Sequence, residues 1–399
     1  MSKRLKATYI VYLIVLFIIG IYGVIYRPVG TSFARGYSLC FPQEGATMDR
    51  SFTVNGNVYA KDGLASAELV LQGPDGTTSY AIEREQSTHK GKVLYALSTF
   101  KNPIKVTTDG DYRMWVRATE LDGTVTDFPP RTIHVKEGGG RDPFVTFSTQ
   151  HIITMLVMTV IMAGTLILVS RKKSDKTYRN LAYLTWGLII FCDYVIRIYI
   201  IMKGSYRASY DVPFHMCDIS GFLMPLLLFS KPGKFRDNLY NLMFIWGIGG
   251  ALMAIVTPEM GGYAFPSYYF FNFFIKHGAL VFGVLLITFM KGMRPKFKLL
   301  LPIMVISNVL IAIIYGINHL MMLFPPYEVG NYLFISYPPT GGSAIDMMVK
   351  ILGPSPWYII GFNVLGIIVF SMLWFPFKVE SWIKKKCMKP KDTPTIKAA

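Results

Sequence analysis

Apolar runs long enough to cross a bilayer alternate with short polar connections along most of this chain, and one internal stretch breaks the pattern. A crossing helix takes about 20 apolar residues. The first run, YIVYLIVLFIIGIYGVIY, follows a basic start, MSKRLK. Its core is longer than a signal-peptide h-region and no small-x-small cleavage site follows closely, so residues 1–30 read as a membrane anchor, with a cleaved signal peptide as the alternative. Seven further apolar segments lie near 150–169, 181–202, 213–230, 240–257, 269–290, 299–322 and 357–376. The pattern predicts a polytopic α-helical membrane bundle over 149–378, with a basic tail at 379–399.

Between anchor and bundle the periodicity switches. From 36 to 137, short alternating segments such as FTVNGNVYA, AELVLQG and YRMWVRATE are separated by turns such as GPDGT and TTDGDY. Alternation with frequent turn signals predicts an all-β sandwich. The stretch DGDYRMWVRATELDGTVTD followed by RTIHV resembles the last strands of bacterial immunoglobulin-like (Ig-like) domains, a likeness that speaks to fold and not to ligand. GGGRDP then opens a linker, 138–148.

The 399 residues are 52% hydrophobic with a formal net charge of +17. The basic residues gather in RKKSDKTYR, SKPGKFRD, KGMRPKFK and KKKCMKPK, between apolar runs. Nucleic acid is therefore not the expected partner; the clusters mark cytoplasmic loops. Counting crossings from a cytoplasmic N-terminus puts the β-domain outside and the C-terminus inside, in the plasma membrane. The opposite loops agree: 258–268 and 323–356 carry Lys350 and no arginine, while 203–212 carries Lys203 and Arg207. Cysteines stand at 40, 192, 217 and 387 with no CxxC pair, so no disulfide framework, metal site or cofactor is expected.

The chemistry collects near the outer ends of the helices. In PFHMCDISGF, Pro213 suits a helix start, and Cys217 falls in the first turns, where the helix dipole favours a thiolate. Asp218 opposes that effect unless it is paired elsewhere. NFFIKHGALVF places Lys276, expected to snorkel outward, and His277, about 12 Å into its helix at 1.5 Å per residue. FCDYVIRIY holds Asp193 and Arg197 on one helical face as an i,i+4 pair, and INHLMMLF supplies Asn318 and His319. Ionisable groups at this depth are costly and usually face a cavity. The stretch 331–360 shows no obvious helix and is expected to lie across the mouth of that cavity, with Trp357 and Tyr358 at the membrane interface. In it, Asn331, Tyr332 or the backbone amides of 331–343 are candidates to stabilise an oxyanion.

The ordered set HMCDISGFLMPL, NLMFIWGIGGALMAIVTPE, FFIKHGALV, GNYLFISYPP and GPSPWYI resembles the YwaF-type bacterial integral membrane proteins over about 220 residues, 150–376. That family is in turn distantly similar to a mammalian membrane acyltransferase family that moves fatty acyl chains onto ether lysophospholipids. The resemblance implies a nucleophilic cysteine at Cys217 and a histidine base at His277. Here His215 precedes the cysteine, whereas the mammalian pattern places a histidine after it.

Three functions are compatible with these features. The first is an acyltransferase or lipid-ester hydrolase at the outer leaflet, with Cys217 as nucleophile, His277 as base, and His215, Asp218, Asp193 and Arg197 in support. The second is a non-catalytic envelope receptor or assembly protein with a lipid-binding pocket. The third is a transporter of a small polar solute, against which stands the lack of an inverted hydropathy repeat. Membrane lipids are the expected partners. The Ig-like domain is expected to engage a cell-envelope polymer or protein, or to present substrate.

Overall fold

The computed structural model describes residues 1–82, 87–89, 92–98, 103–140, 144–172, 174–260, 263–339 and 344–387. Residues 141–143 of the linker, 340–343, and the tail beyond 387 lie outside the described residues.

Strands run from Arg35–Phe41 to Arg131–Val135 and form two larger sheets. In one, Asn55–Ala60 pairs antiparallel with both Arg35–Phe41 and Lys92–Ser98. In the other, the long strand Gly110–Glu120 pairs with Leu64–Gly73 on one side and Arg131–Val135 on the other. Tyr112, Met114, Val116 and Ala118 are buried at every second position of that strand, the period of a sheet with one face on a core. They join Val58, Leu69 and Ile133 in one hydrophobic cluster between the sheets. The Tyr112 hydroxyl closes a corner, 2.8 Å from the Thr108 carbonyl and 2.9 Å from the Asp75 carboxylate.

Among the described residues, seven helices are long and apolar enough to cross a membrane. In chain order the helices are α1 (Lys3–Ile25), α2 (Thr149–Lys172), α3 (Asp175–Met202), α4 (Met216–Phe229), α5 (Lys234–Met243), α6 (Ala251–Val256), α7 (Tyr268–Met290), α8 (Leu300–Leu320), α9 (Ala344–Leu352) and α10 (Gly361–Cys387). The segment expected over 213–230 forms α4, a 14-residue helix shorter than the seven. α5 and α6 are one crossing interrupted by a π-helical turn, Phe244–Gly250. Its sequence FIWGIGG has three glycines where the wider turn brings backbone close to neighbours; a Cβ on Gly247 would meet Val284 at 3.2 Å.

α7 is the most enclosed crossing, packed among α2, α3, α4 and α6, whereas α2, α8 and α10 turn most of their surface outward. At one end of the bundle Lys291 Nζ lies 2.5 Å from Asp175, and Arg294 donates to both oxygens of Glu380 at 2.8 and 3.1 Å. These contacts bring the basic α7–α8 connection to the start of α3 and the end of α10. At the other end sits the β-region: Gln43 donates to the Tyr263 hydroxyl at 3.3 Å, and Tyr59 packs on Tyr327 with ring centroids 5.9 Å apart.

The described parts of the 331–360 stretch, 331–339 and 344–360, hold more helix than their composition predicts. Met348 is buried within α9, whose first turn carries Asp346 and whose last carries Lys350. Tyr358 is not at the interface; it is buried and donates to the Phe334 carbonyl at 2.7 Å, while Trp357 is exposed.

Candidate functional site

Four charges are buried together near the β-side end of the bundle. Arg197 of α3 reaches Asp193 Oδ1 at 3.3 Å, one turn back on its own helix, and Asp218 Oδ1 on α4 at 2.9 Å. Lys276 of α7 reaches the same two oxygens at 2.6 and 2.5 Å. The expectation that Lys276 snorkels outward is overturned: its side chain is 7% exposed, because two carboxylates on neighbouring helices offer it a better-compensated place than the membrane surface. A fifth member comes from the N-terminal helix. The Tyr12 hydroxyl donates to Asp193 Oδ2 at 2.7 Å, and the Tyr194 hydroxyl donates back to the Tyr12 carbonyl at 2.9 Å. Two acids and two bases balance, the condition for holding charge out of water.

This quartet lies directly under the start of α4. His215 is the N-cap, and its N–H donates to Asp218 Oδ2 at 3.3 Å, one half of a capping box. Asp218 thus has its charge committed to Arg197 and Lys276 rather than left facing the thiol. Cys217, between cap and carboxylate, is partly buried against the hydrophobic core. Among the described residues no acceptor is seen for the first-turn N–H groups of Met216 and Cys217, the donors every helix start leaves open.

Cys217, His277 and His215 all line one cavity of about 460 Å³, a volume in the range of small-molecule sites. The charged end of this cavity also carries Arg197, Asp218 and Lys276. His277 Nδ1 lies 2.7 Å from the Phe273 carbonyl. A carbonyl only accepts, so Nδ1 bears the proton and Nε2 keeps its lone pair. The His215 ring is held among Tyr210, Tyr332 and Phe334, with centroids 5.0–5.4 Å away, and its Nε2 is buried with no partner among the described residues.

The remaining sequence candidates stand elsewhere. Asp193 is in the quartet but does not line the cavity. Asn318 and Asn331 hold the loop that follows α8. Asn318 donates to the Tyr332 carbonyl at 3.2 Å and accepts from its N–H at 3.0 Å. Asn331 accepts from Ser336 and Tyr337 N–H at 3.2 and 3.1 Å and donates to the Tyr337 carbonyl at 3.0 Å. The Tyr332 hydroxyl donates to the Ala208 carbonyl. His319 is exposed, its Nδ1 at 2.8 Å from the Tyr315 carbonyl on its own helix. None of these four lines the cavity.

Other members of the site carry little or no mark in the sequence. Tyr12 is one of several tyrosines in α1 and carries no mark in the sequence. Tyr210 and Glu259, joined by a 2.8 Å hydrogen bond, line the β-side mouth with Asp211. Asp211 accepts from the Arg207 N–H at 2.7 Å, and burial pushes its carboxyl up from the usual range. The VTPE turn that delivers Glu259 was visible as a charge beside an apolar run.

The TMEM164 family matches residues 146–374, from the start of α2 to the middle of α10. The chain belongs to the TMEM164 family. The matched region is that of a membrane protein family, and it contains Cys217, His277 and the whole quartet, while Tyr12 lies outside it. α1 and the β-region precede the TMEM164 match. No curated protein matches the chain. Among solved structures, the fibronectin(III)-like modules of Clostridium thermocellum CbhA are similar at 17% identity, over 25% of this chain and 96% of that one, with a TM-score of 0.17.

Proposed function

We propose that this protein is a membrane-embedded acyltransferase or lipid-ester hydrolase with Cys217 as nucleophile and His277 as base. The observation that carries the reading is the shared cavity. A thiol and an imidazole with a free Nε2 line one chamber whose charged end adjoins an apolar interior. The ester of a membrane lipid fits such a chamber with its carbonyl at the charged end and its tail in the apolar part.

In the reaction, His277 Nε2 takes the proton of Cys217 Sγ as the sulfur attacks the ester carbonyl. The C–S bond forms, and the developing oxyanion is met by the open N–H groups of Met216 and Cys217. Collapse breaks the C–O bond, and the leaving alkoxide takes the proton from His277. An acceptor hydroxyl, or water, then gives its proton to His277, attacks the thioester and regenerates the thiol. The quartet fixes the start of α4, so that the amides and the thiol keep their mutual geometry.

The β-region is read as an Ig-like domain outside the cell, because the basic clusters gather at the opposite end of the bundle and mark it as cytoplasmic. The lipid ester is then that of the outer leaflet, and the domain is placed to meet an envelope polymer or protein. The resemblance to YwaF-type proteins, and through them to lysophospholipid acyltransferases, supports the same assignment.

The test uses the full chain in nanodiscs with a phospholipid carrying a labelled acyl chain. Label is expected on Cys217 by peptide mass spectrometry, lost in Cys217→Ala and slowed in His277→Ala by about 10²–10⁴-fold. Full acyl transfer in both variants would sink the proposal.

A further inference from the structure

A second, smaller cavity lies where the β-region meets the bundle, and it shares no lining residue with the one that holds Cys217. Three parts of the chain wall it: Tyr26 and Arg27 just past α1, Asn57 and Tyr59 of the β-region, and Tyr206 and Arg207 after α3. It holds about 30 Å³, roughly two to three times the least space a water needs. Two or three heavy atoms fit, such as the oxygens of an anion.

Arg27 has no acidic partner among the described residues. Its Nη1 and Nη2 donate to the Tyr26 and Val24 carbonyls, both at 2.7 Å, and its guanidinium lies 4.3 Å from the centre of the Phe33 ring. Carbonyls satisfy N–H groups and leave the charge uncancelled. Arg27 Nε is buried and has no partner among the described residues. Asn57 is 3% exposed, and its Nδ2 is likewise buried with no partner there. In the strand Asn55–Ala60, Asn57 and Tyr59 alternate with Val58, which joins the β-core, so they face away from that core. Arg207 brings a second guanidinium, whose charge is offset by Asp211 of its own turn.

Two buried donors, one of them on a cation, call for an acceptor with negative charge. A water accepts from both and leaves the charge standing; an anionic oxygen answers both needs. Position selects the anion. Arg27 stands two residues past the end of α1, and Gly204, also in the wall, two past the end of α3. This is the level at which crossings leave the hydrocarbon and lipid phosphates lie. Ile14, Ile18, Ile21 and Ile25 form an exposed stripe along α1 that ends beside it. A lipid lying on that stripe brings its phosphate to Arg27.

We propose that this cavity binds a phosphate group, carried by a phospholipid of the β-side leaflet or free in solution, which bridges Arg27 and Asn57 and so holds the β-region on the bundle. The site is separate from Cys217 and independent of the acyl-transfer reading.

The test uses the full chain, stripped of lipid in dodecyl maltoside, and follows ligand binding by native mass spectrometry and hydrogen exchange over residues 26–35. Three probes are added in turn: dioleoyl phosphatidylglycerol, inorganic phosphate and the uncharged diglucosyl diacylglycerol. Phosphatidylglycerol is expected to bind and to slow exchange over this stretch, and the glycolipid to do neither. Slowing by phosphatidylglycerol alone assigns the phosphate to a lipid; slowing by inorganic phosphate as well assigns it to a free anion. Arg27→Gln is expected to raise the concentration needed by at least about tenfold. Asn57→Asp puts a carboxylate in the cavity; it is expected to slow exchange with nothing added and to respond to neither phosphate probe. Unchanged exchange in α7 shows that each variant is folded, and should Arg27→Gln unfold, Asn57→Asp decides alone. No response to either phosphate probe overturns the site. So does an equal response to the glycolipid, or a folded variant that responds as the unsubstituted protein does.

Discussion

Lys276 Nζ lies 2.5 Å from Asp218 Oδ1, so α7 grips α4 at the residue that follows Cys217. The contact is buried on both sides. Removing one partner of such a pair typically costs about 3–5 kcal/mol, because the other charge stays buried and uncompensated. Lys276→Met leaves two carboxylates facing Arg197 alone and is expected to lose stability in that range. Adding Asp193→Asn restores the balance and is expected to recover a large part of the loss. Thermal unfolding in detergent decides; a double variant no more stable than the single one contradicts the charge-balance account.

Tyr12 ties α1 to the same group. Tyr12→Phe keeps the ring contacts with Trp186 and Phe222 and removes only the hydroxyl that Asp193 Oδ2 accepts from. The expected cost is about 1–3 kcal/mol. In a cycle with Asp193→Asn the two effects should be non-additive, and additivity would show that the bond contributes nothing.

Asn331 satisfies three backbone groups of its own loop. In Asn331→Ala the amides of Ser336 and Tyr337 lose their acceptor. Hydrogen exchange at these two amides should accelerate by about tenfold or more, the equivalent of one lost buried bond of about 1–3 kcal/mol, with α7 unaffected. Unchanged exchange at both would remove the loop-holding role.

The corner of the β-region is pH-sensitive. Hydrogen bonds from Thr108, and further ones from Tyr112 and Thr107, lower the Asp75 carboxyl to about 2. The unfolded chain, with its higher pKa of about 3.9, takes up the proton first as pH falls. The stabilisation is therefore complete above about pH 4 and is lost progressively as pH drops toward 2. Hydrogen exchange in Gly110–Glu120 should accelerate over that window, and Asp75→Asn should flatten the dependence.

Much of this architecture can be read from the chain because crossing helices and two-sided strands each have a period. Apolar length marks the crossings, and alternation in DYRMWVRATE marks the strand on the β-core. The site is less legible for a physical reason. Which way Lys276 turns depends on two acids 58 and 83 residues earlier in the chain, and no local pattern carries that information. Tyr12 contributes through one oxygen on an otherwise greasy helix. Asn318 and Asn331 look like site residues because buried amides are rare in membranes, yet their hydrogen bonds are spent on backbone. α9 was hidden in a segment dominated by proline and glycine on both sides.

The charge count of the quartet also gives the chain an order of assembly. As synthesis proceeds, α3 brings Asp193 and Arg197, which cancel, and α4 then adds Asp218, leaving one negative charge in excess. The excess persists until α7 delivers Lys276. A chain stopped short of α7 therefore carries an unbalanced carboxylate among its membrane helices, a state that water or a chaperone must shelter. Closing of the quartet is in this sense a completion mark: the turn that presents Cys217 is fixed only once Lys276, the last of the four charges, has been made.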